Sequence, residues 1–539
     1  MSNVVTNPQP ARKWQLEAKW KVLISVVFGI FMVILDTTVV NVAFQTLRTE
    51  FGATLNDSQW IISVYVLSLG ISTPLAGYLG DRFGLKRVYL TGLSIFVLGS
   101  FLCGISPSLG FLIFARALQG FGGGIALPLG PAFLFRTFPA KEQGAALGIF
   151  GIALVIAPAL GPILGGILVD QQLWRAIFFI NPPIGILGIF LGSRFLPAFT
   201  SETKPSFDWP GLITEIIGFG SILYATSLAA NQGWNTPEVM LFTGIGVAGM
   251  IAFGVVELFV AKRPLLDLRL FTKRIFLNAT VLGYVSVIAL FGAEFMMPIF
   301  LQAMLGKTAL QTGLILLPMA ITSGATTIIA GRLYDRFGPR PLVTFGFLML
   351  IINTWQLSQI TADTSITTIM ILLALRGLAV GSTVQTTFIT GLSVVPLKDI
   401  ARGSSLTNAT RNVVQSIGVA ILATVLVSGL SPQISAFQQK FQETPVKAGS
   451  TPVAVCAPQP NPQVASANGG VAADTPPPSA NLAQLMKEAC QENITGFERA
   501  YTVTFYAAIV ALLLGVLLPG WPLQFAGRRA ADAPPVAGH

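Results

Sequence analysis

The chain has 539 residues, of which 53% are hydrophobic and only 10% are charged. So little charge does not cover a soluble body of this size, which excludes an ordinary soluble protein and indicates a largely lipid surrounding. The formal net charge is +10, but a basic balance indicates nucleic-acid binding only when the cations cluster on one soluble face. Here they lie in short connections between apolar runs, so no nucleic-acid partner is expected.

Fourteen apolar runs are long enough to cross a bilayer, which takes about 20 residues in a helix. They predict an all-α integral membrane protein. The first run is too long for a signal peptide and lacks a small-residue cleavage site, so a retained helix is expected. The predicted spans are 22–44, 59–80, 87–106, 109–135, 143–168, 176–196, 209–229, 239–260, 275–302, 311–331, 341–359, 366–394, 405–430 and 499–520.

The distribution of Lys and Arg predicts the orientation of these spans. With the N-terminus inside, 23 of the 33 cations fall in the tails and alternate connections on that side, and 7 fall on the other. Cytoplasmic connections carry the excess of positive charge in membrane proteins. We therefore expect a multi-pass protein of the cell membrane with both termini in the cytoplasm.

The predicted outer connection 431–498 is longer than the others, and it is rich in proline and poor in aromatic residues. This composition is typical of a mostly disordered linker. It contains Cys456 and Cys490, whereas Cys103 lies in the third span. The two thiols of the connection would form a disulfide in an oxidising compartment or stay free otherwise, and the sequence leaves both alternatives open.

Two absences limit the chemistry. The only histidine is His539, so neither a histidine metal site nor a histidine proton relay is expected. The sequence has no loop of the form GxxxxGK[ST], so direct use of ATP is not expected either. We predict that the protein is not an enzyme and needs no cofactor or metal. Its energy then comes from an ion gradient, a concentration gradient or a partner.

A short charged motif occurs twice in the chain, 254 positions apart: residues 77–87 read GYLGDRFGLKR and residues 331–340 read GRLYDRFGPR. Both copies are predicted to be loops between spans. Cations that merely set the orientation would not need this order of glycine, aspartate and arginine twice. The residues singled out are Gly77, Asp81, Arg82, Gly84, Lys86 and Arg87 in the first copy, and Gly331, Asp335, Arg336 and Gly338 in the second.

Charges within the spans repeat with a similar offset: Glu294 follows Asp36 by 258 residues and Arg376 follows Arg116 by 260. Together with the motif, they indicate a duplicated six-helix unit with the seventh and eighth spans inserted between the copies. The predicted domains are the tail 1–21, the N-terminal bundle 22–196, the inserted helices 197–274, the C-terminal bundle 275–520 including 431–498, and the tail 521–539.

Asp36 is the first candidate for function, because an ionisable group at depth costs about 2.5–3.5 kcal/mol on insertion scales and is usually functional. It lies about 14 residues into the first span, roughly 21 Å along a helix. Two roles are open: a carboxylate fixed to a neighbouring helix by hydrogen bonds, or one that carries a proton or faces a cationic substrate.

The other acidic residues leave more alternatives. Glu215 is either an interfacial carboxylate or a substrate contact, and Glu294 is either a second protonation site or an attractor for cationic compounds. Glu257 lies near Lys262 and Arg263 in the sequence, which favours a surface ion pair. Arg411 is a further cation within a span, without an assigned partner.

At this point the chain, apart from the tails and 431–498, resembles the major facilitator superfamily and specifically its fourteen-helix drug:proton antiporters. The repeated motif resembles that superfamily's cytoplasmic motif between the second and third helices, and departs from it at Leu85, where a basic residue is more usual. The resemblance implies two six-helix bundles. It also implies that Asp81 pairs with cations or a helix N-terminus across the bundle interface and so latches the cytoplasmic side.

Two more patterns carry this resemblance. Residues 35–43, LDTTVVNVA, are similar to the first-helix signature of these antiporters, which makes Asp36 the candidate for protonation. Residues 116–120, RALQG, followed by Gly122 and Gly124, resemble the fourth-helix motif whose arginine is implicated in proton transfer. A buried guanidinium needs a partner, so movement of Arg116 relative to a carboxylate would couple protonation to conformation. The alternative is a structural arginine that backbone carbonyls satisfy.

Residues 157–166, APALGPILGG, are similar to the antiporter motif of exporters, with Ala157 where a glycine is usual. The spacing favours export over import, and a general packing face is the alternative. The residues singled out are Pro158, Gly161, Pro162, Gly165 and Gly166.

The resemblance implies a proton-coupled antiporter that exports lipophilic, often cationic, drugs or toxic compounds by alternating access. Coupling residues would be Asp36, Arg116 and Glu294, and the substrate cavity would contain Asp36, Glu215 and Glu294. Expected partners are small lipophilic substrates, protons and membrane lipids, with an adaptor and outer-membrane channel as a further option. The alternatives are a carrier of a specific metabolite or lipid and a non-transporting membrane sensor or scaffold.

Overall fold

The computed structural model describes residues 17–53, 55–199, 208–261, 264–431, 433–434, 456 and 480–519, and every long element in this part is a helix. Short π-helices continue α9 and α10 at Val256–Val260 and Phe300–Met304. The helices are α1 (Ala18–Glu50), α2 (Leu55–Phe83), α3 (Leu85–Gly104), α4 (Leu109–Thr137), α5 (Gln143–Asp170), α6 (Trp174–Phe179), α7 (Asn181–Phe195), α8 (Trp209–Gln232), α9 (Pro237–Val255), α10 (Arg274–Ile299), α11 (Ala309–Phe337), α12 (Pro339–Ser358), α13 (Ile366–Leu392), α14 (Ile400–Val427) and α15 (Ala480–Val516).

The predicted all-α membrane fold is confirmed. Within the described ranges, 13 helical segments are long and apolar enough to cross a membrane. The remaining predicted span, 275–302, corresponds to α10, whose apolar part Arg274–Ala289 is shorter. This helix continues to Ile299 and then into the π-helix, so it supplies the fourteenth segment.

The repeated motif is not a loop, contrary to the sequence prediction. Helix α2 runs through the first copy to Phe83, and α3 begins at Leu85, so a single residue separates the two helices. That residue is Gly84, with φ of 92°. Gly338, with φ of 77°, is likewise the single residue between α11 and α12. Residues with a β-carbon rarely adopt these angles, which explains a glycine at each turn. We call the end of the bundle that carries both turns the motif end.

The sixth span is broken, although the sequence indicated one continuous helix. It consists of α6 and α7, which meet at Ile180 and Asn181. Pro182 and Pro183 follow, and neither has an N–H to donate to the carbonyl four residues earlier. The Ser100 hydroxyl from α3 donates to the Phe178 carbonyl at 2.8 Å instead. The break places Asn181 inside the first six helices, where it is buried.

The last helix corrects the prediction for residues 431–498. Helix α15 begins at Ala480, so 480–498 are helical rather than part of a disordered linker. Cys456 and Cys490 form a disulfide with a Cα–Cα distance of 5.0 Å, and the Cys456 amide donates to the Met304 carbonyl at 2.9 Å. Most of 435–479 lies outside the described residues. Through Cys456, the disulfide and this hydrogen bond link α15 to the end of the π-helix after α10, at the end of the bundle opposite the motif end.

The two predicted halves meet along two helix pairs. Helix α5 packs against α11 over its length, from Gly144 beside Gly331 to Gly166 beside Leu310. Helix α2 packs against α14, where a β-carbon at Gly77 would lie 2.9 Å from the Arg402 Cα. The structure does not test the predicted domain boundaries at 196 and 275, which stay predictions.

The inserted helix α8 lies across the seam between the halves. It contacts both α2 and α14, and α9 packs against α8. The Ser63 and Ser227 hydroxyls lie 2.8 Å apart, and those of Thr226 and Ser416 lie 2.5 Å apart. Because one of these contacts reaches each half, movement of the halves has to be accommodated by α8.

Candidate functional site

Asp36 and Arg116 form an ion pair inside the first six helices. The Asp36 Oδ2 atom of α1 lies 2.5 Å from Nη1 of Arg116 on α4. Asp36 and Arg116 are each only 1% exposed. The two residues that the sequence singled out separately are therefore direct partners.

Two side-chain amides complete the binding of the Asp36 carboxylate. The Gln119 Nε2 donates to its Oδ1 atom at 2.8 Å and the Asn181 Nδ2 at 2.7 Å. The Gln119 Oε1 also accepts from Arg116 Nη1 at 2.7 Å, and Asn181 donates to the Ser100 hydroxyl at 3.0 Å. Four elements, α1, α3, α4 and the α6–α7 break, thus share one buried polar network.

Helix α2 holds the other side of the Arg116 guanidinium. Its Nε donates to the Ile61 carbonyl at 3.2 Å, and its central carbon lies 4.0 Å from the centre of the Tyr65 ring. The Tyr65 hydroxyl in turn donates to the Val33 carbonyl of α1 at 3.1 Å. Arg116 therefore has both partners that the sequence left as alternatives, a carboxylate and a backbone carbonyl.

Glycines on α4 allow this close assembly. A β-carbon at Gly122 would lie 2.6 Å from the Gly92 carbonyl oxygen of α3, and one at Gly120 would contact the Tyr65 carbonyl of α2. Backbone atoms cannot rotate away as a side chain can. The glycines near Arg116 therefore set the distance at which α2 and α3 pass α4.

The network is suited to coupling a proton to a movement. A buried ion pair holds while both charges are present, and removing one partner leaves the other uncompensated at a cost of about 3–5 kcal/mol. Protonation of Asp36 would remove its charge and leave Arg116 between an amide, a carbonyl and an aromatic ring. Movement of the guanidinium to other acceptors would then be favourable, and such a movement would shift α4 relative to α1.

The second half contains a counterpart with different partners. Arg376 of α13 is fully buried, and its Nη2 donates to the Ala289 carbonyl of α10 at 2.7 Å. Its Nη1 lies 3.4 Å from both Asn353 Oδ1 and Thr354 Oγ1 of α12. Glu294 lies on α10, but its side chain lies outside the described part of the structure. Its predicted equivalence to Asp36 stays a prediction.

The α5 segment that resembles the antiporter motif packs against α1 next to Asp36. A β-carbon at Gly161 would lie 2.6 Å from the Thr38 Cβ, and one at Gly165 would lie 3.1 Å from the Val39 carbonyl oxygen. Two of its residues face α11 of the other half: a β-carbon at Gly166 would lie 3.0 Å from the Leu310 amide nitrogen, and one at Gly313 would lie 3.1 Å from the Pro162 Cβ. Pro158 and Pro162 lie within α5 without ending it. These contacts fix the position of α1, which carries Asp36, and they also contribute to the packing between the two halves.

We predict that Gly161→Ala slows transport because the new methyl group pushes α1 away from α5 beside Asp36. Overpacking of this kind costs about 1–3 kcal/mol. The matched control is Gly244→Ala on α9, where a β-carbon has open space. Initial transport rates and melting temperatures of both purified variants test this prediction. Equal rates for the two variants would contradict it.

The second copy of the motif binds the N-terminus of a helix in the other half. Asp335, near the end of α11, accepts from the amides of Gly144 and Ala145 in the first turn of α5, at 3.0 and 2.9 Å. A carboxylate at this position is favoured by the unpaired amides and the positive end of the helix dipole.

The first copy binds a cation instead. Asp81, near the end of α2, forms an ion pair with Arg402 in the first turn of α14 at 2.7 Å. Nearby, Arg136 of α4 donates to the Leu397 and Lys398 carbonyls at 3.1 and 3.0 Å. With the Asp335 contact, these bonds close the motif end on both sides of the seam.

The remaining motif residues lie at the same end. The Arg82 Nη1 lies 3.2 Å from the Tyr78 hydroxyl, and the Arg336 guanidinium lies 5.1 Å from the Phe337 ring centre. Lys86 and Arg87 occupy the first turn of α3.

Glu257 is not a surface residue, contrary to the sequence prediction. It is 1% exposed and lies in the π-helix that ends α9. The wider turn of a π-helix changes the direction of the side chains that follow, and here Glu257 lies against α8. Glu215 is fully buried and interacts electrostatically with Glu257. Glu215 is therefore not an exposed carboxylate, and its predicted place in the substrate cavity stays a prediction.

Arg411 lies beside a small cavity of about 20 Å³ between α10, α13 and α14. Thr280, Tyr284, Thr387 and Thr407 also line this cavity. The volume suits about one water molecule.

Sequence reasoning missed Gln119 and Asn181 as partners of Asp36. Gln119 was part of a recognised motif, but no role was attached to it. Asn181 had a signal that was not used: a carboxamide directly before two prolines within an apolar span. Such a helix break frees backbone groups, and polar side chains then gather around them.

Comparison with known proteins gives the family. The profile described as Major Facilitator Superfamily matches residues 26–419. "Uncharacterized MFS-type transporter YhcA" of Bacillus subtilis is 36% identical over 403 residues, 75% of this chain and 76% of the relative. "Multidrug resistance protein B homolog" of Mycobacterium tuberculosis is 30% identical over 505 residues, covering 92% and 88%.

Other similar proteins have different substrates in their names. "Riboflavin transporter RibZ" of Clostridioides difficile is 30% identical over 428 residues, 79% of this chain and 91% of the relative. The structure of the human organic anion transporter MFSD10 (TETRAN) aligns with a TM-score of 0.61 at 12% identity, over 93% of this chain and 100% of that one. At this identity the structural likeness shows the fold alone.

Proposed function

Because the chain belongs to the Major Facilitator Superfamily of membrane transporters, we propose that it is a proton-coupled antiporter that exports small lipophilic compounds by alternating access. The observation that carries this proposal is the buried pair of Asp36 and Arg116. An ion pair at such depth is costly and is usually retained for function. The pair changes its charge when one proton binds, which is what a proton-driven carrier requires.

Alternating access needs a gate that opens and closes, and the motif end supplies one. The contacts of Asp335 with α5 and of Asp81 with Arg402 each join the two halves. We propose that the motif end faces the cytoplasm, as the excess of cations on that side indicates. Opening would break these contacts, and rocking of the halves about the midplane would expose the substrate site to the cytoplasm.

A drug or toxic compound is the substrate class that the antiporter motif and the multidrug relative favour. The riboflavin transporter is as similar to this chain as the multidrug relative, at 30% identity each. It favours a second candidate, a carrier of one specific metabolite. Both candidates use the same fold and the same proton site. They differ in how many compounds compete for transport. A partner adaptor with an outer-membrane channel remains part of the proposal only if export crosses a second membrane.

Transport in proteoliposomes under an imposed pH gradient tests the proposal. Cationic, neutral and anionic lipophilic compounds and riboflavin are offered separately and in competition. An exporter of many compounds moves several lipophilic compounds against the proton flow, and each inhibits the others. Transport of one metabolite alone would favour the second candidate. No gradient-driven transport of any compound, by protein that binds these compounds, would contradict proton coupling.

A further inference from the structure

Three buried carboxyl groups lie in the part of the inserted helices nearest the motif end, and we call them the acidic cluster: Asp208, Glu215 and Glu257. The Asp208 Oδ1 atom accepts from the Gly211 amide at 2.9 Å in the first turn of α8. A β-carbon at Gly211 would lie 2.5 Å from the Asp208 Oδ2 and 2.9 Å from the Glu257 Oε1. The missing side chain at Gly211 therefore lets these two carboxyl groups approach each other.

The two glutamates are buried without hydrogen-bond partners. Glu215 is 0% exposed and Glu257 is 1% exposed, and none of their four carboxyl oxygens has a hydrogen-bond partner among the described residues. The Leu265 and Leu266 backbone amides face the Glu257 carboxyl group and favour its ionised form, although neither amide reaches hydrogen-bond geometry. An ionised carboxylate without a partner is far more costly to bury than a neutral carboxyl group.

The described charged groups around the cluster do not compensate it. Glu257 interacts with Glu215 and also with Asp208 and Asp267, all of which are acidic. The nearest described cation of the following segment, Arg269, is exposed and donates to the Leu258 carbonyl at 3.4 Å. From α2, the Tyr78 hydroxyl is bonded to Arg82. Like charges repel each other, so none of these carboxylates compensates the charge of another.

We propose that the acidic cluster is a proton-binding site in which at least one of the buried groups Glu215 and Glu257 holds a proton. No group of three or more His, Cys, Asp or Glu side chains in the described residues is arranged to hold a metal ion, whereas a proton needs only one carboxylate oxygen. The proton is taken from water at the motif end onto a carboxylate oxygen and returns to water when it leaves. This site is separate from Asp36 and does not rest on the proposed function.

The site has a consequence for the gate. Loss of this proton would leave uncompensated negative charge on Glu215 of α8 and on Glu257 of the π-helix that ends α9. Helix α8 also packs against α2 and α14, the helices joined by Asp81 and Arg402. Deprotonation would therefore loosen the inserted helices beside the gate. Proton binding here supplies a response to pH on the motif side that is independent of the Asp36 network.

Infrared difference spectroscopy of the protein in lipid tests the proposal, since a protonated carboxyl group has its own carbonyl band. The comparison is made in the Asp36→Asn background, which removes the other buried candidate in the first half. We expect a band that persists at neutral pH, where exposed carboxyl groups are ionised, and that decreases on alkaline titration. Glu215→Gln is expected to remove about one carboxyl group of this band.

Glu238→Gln is the matched control, because Glu238 is exposed at the opposite end of the same helix pair. It is expected to leave the band unchanged. Glu257→Gln serves as the second variant if Glu215→Gln does not fold, as judged by thermal unfolding. Identical spectra for the parent and both glutamine variants would overturn the proposal. A band that is absent until sodium and potassium ions are removed would also overturn it, in favour of a metal-cation site.

Discussion

Asp36→Asn is expected to reduce pH-driven exchange to the rate of protein-free liposomes. Asparagine keeps the shape of the side chain and can still bond Gln119 and Asn181, but it cannot take up or release a proton. Exchange of labelled for unlabelled substrate without a gradient needs alternating access and no net proton movement. We expect this self-exchange to continue, which separates a coupling defect from a folding defect.

A second variant measures the effect of the unpaired Arg116 charge separately from the loss of the Asp36 carboxylate. In Asp36→Asn alone, Arg116 loses its counterion, which costs about 3–5 kcal/mol if the guanidinium stays in place. Asp36→Asn combined with Arg116→Met leaves no unpaired charge in this network. Much of the lost stability should therefore return, while pH-driven exchange stays absent. Thermal unfolding and transport of both variants measure the two effects. Normal pH-driven exchange by Asp36→Asn would refute the role of Asp36.

The charged residues of the candidate site could be predicted from the sequence, whereas its neutral residues could not. Asp36 and Arg116 stand out in the sequence because each lies within an apolar span, and their pairing needed only that α1 and α4 be neighbours. Gln119 and Asn181 did not stand out, because neutral amides are tolerated in membrane helices at lower cost than charges. The exact partner of a buried charge depends on helix rotation and on local breaks, such as the one before Pro182.

The prediction for Glu257 was wrong for a related physical reason. Its place near the end of a span and near Lys262 and Arg263 in the sequence favoured the surface, on the assumption of a regular α-helix. The π-helix Val256–Val260 changes the direction of the side chains. Hydrophobic periodicity averages over whole turns and does not register one extra residue in a turn. The helical span itself was predictable, but the direction of this side chain was not.

The proposed gate depends on a second close contact, the one between Gly331 and α5. A β-carbon at Gly331 would contact the Gly144 carbonyl and lie 3.1 Å from the Gly148 Cα. All of these are backbone atoms of α5, so a larger residue can be accommodated only if the two helices separate. Separation would also pull Asp335 away from the amides of Gly144 and Ala145 that it binds.

We therefore expect Gly331→Val to hold the motif end open and to abolish both pH-driven exchange and self-exchange, unlike Asp36→Asn. Spin labels on cysteines replacing Phe83 and Leu397, exposed residues of the two halves, should report a longer distance in this variant. Gly254→Val on α9 is the matched control, because a β-carbon there has open space, and it should transport normally. An unchanged label distance in Gly331→Val would contradict the gate, since a closed motif end leaves no room for the valine side chain between α5 and α11.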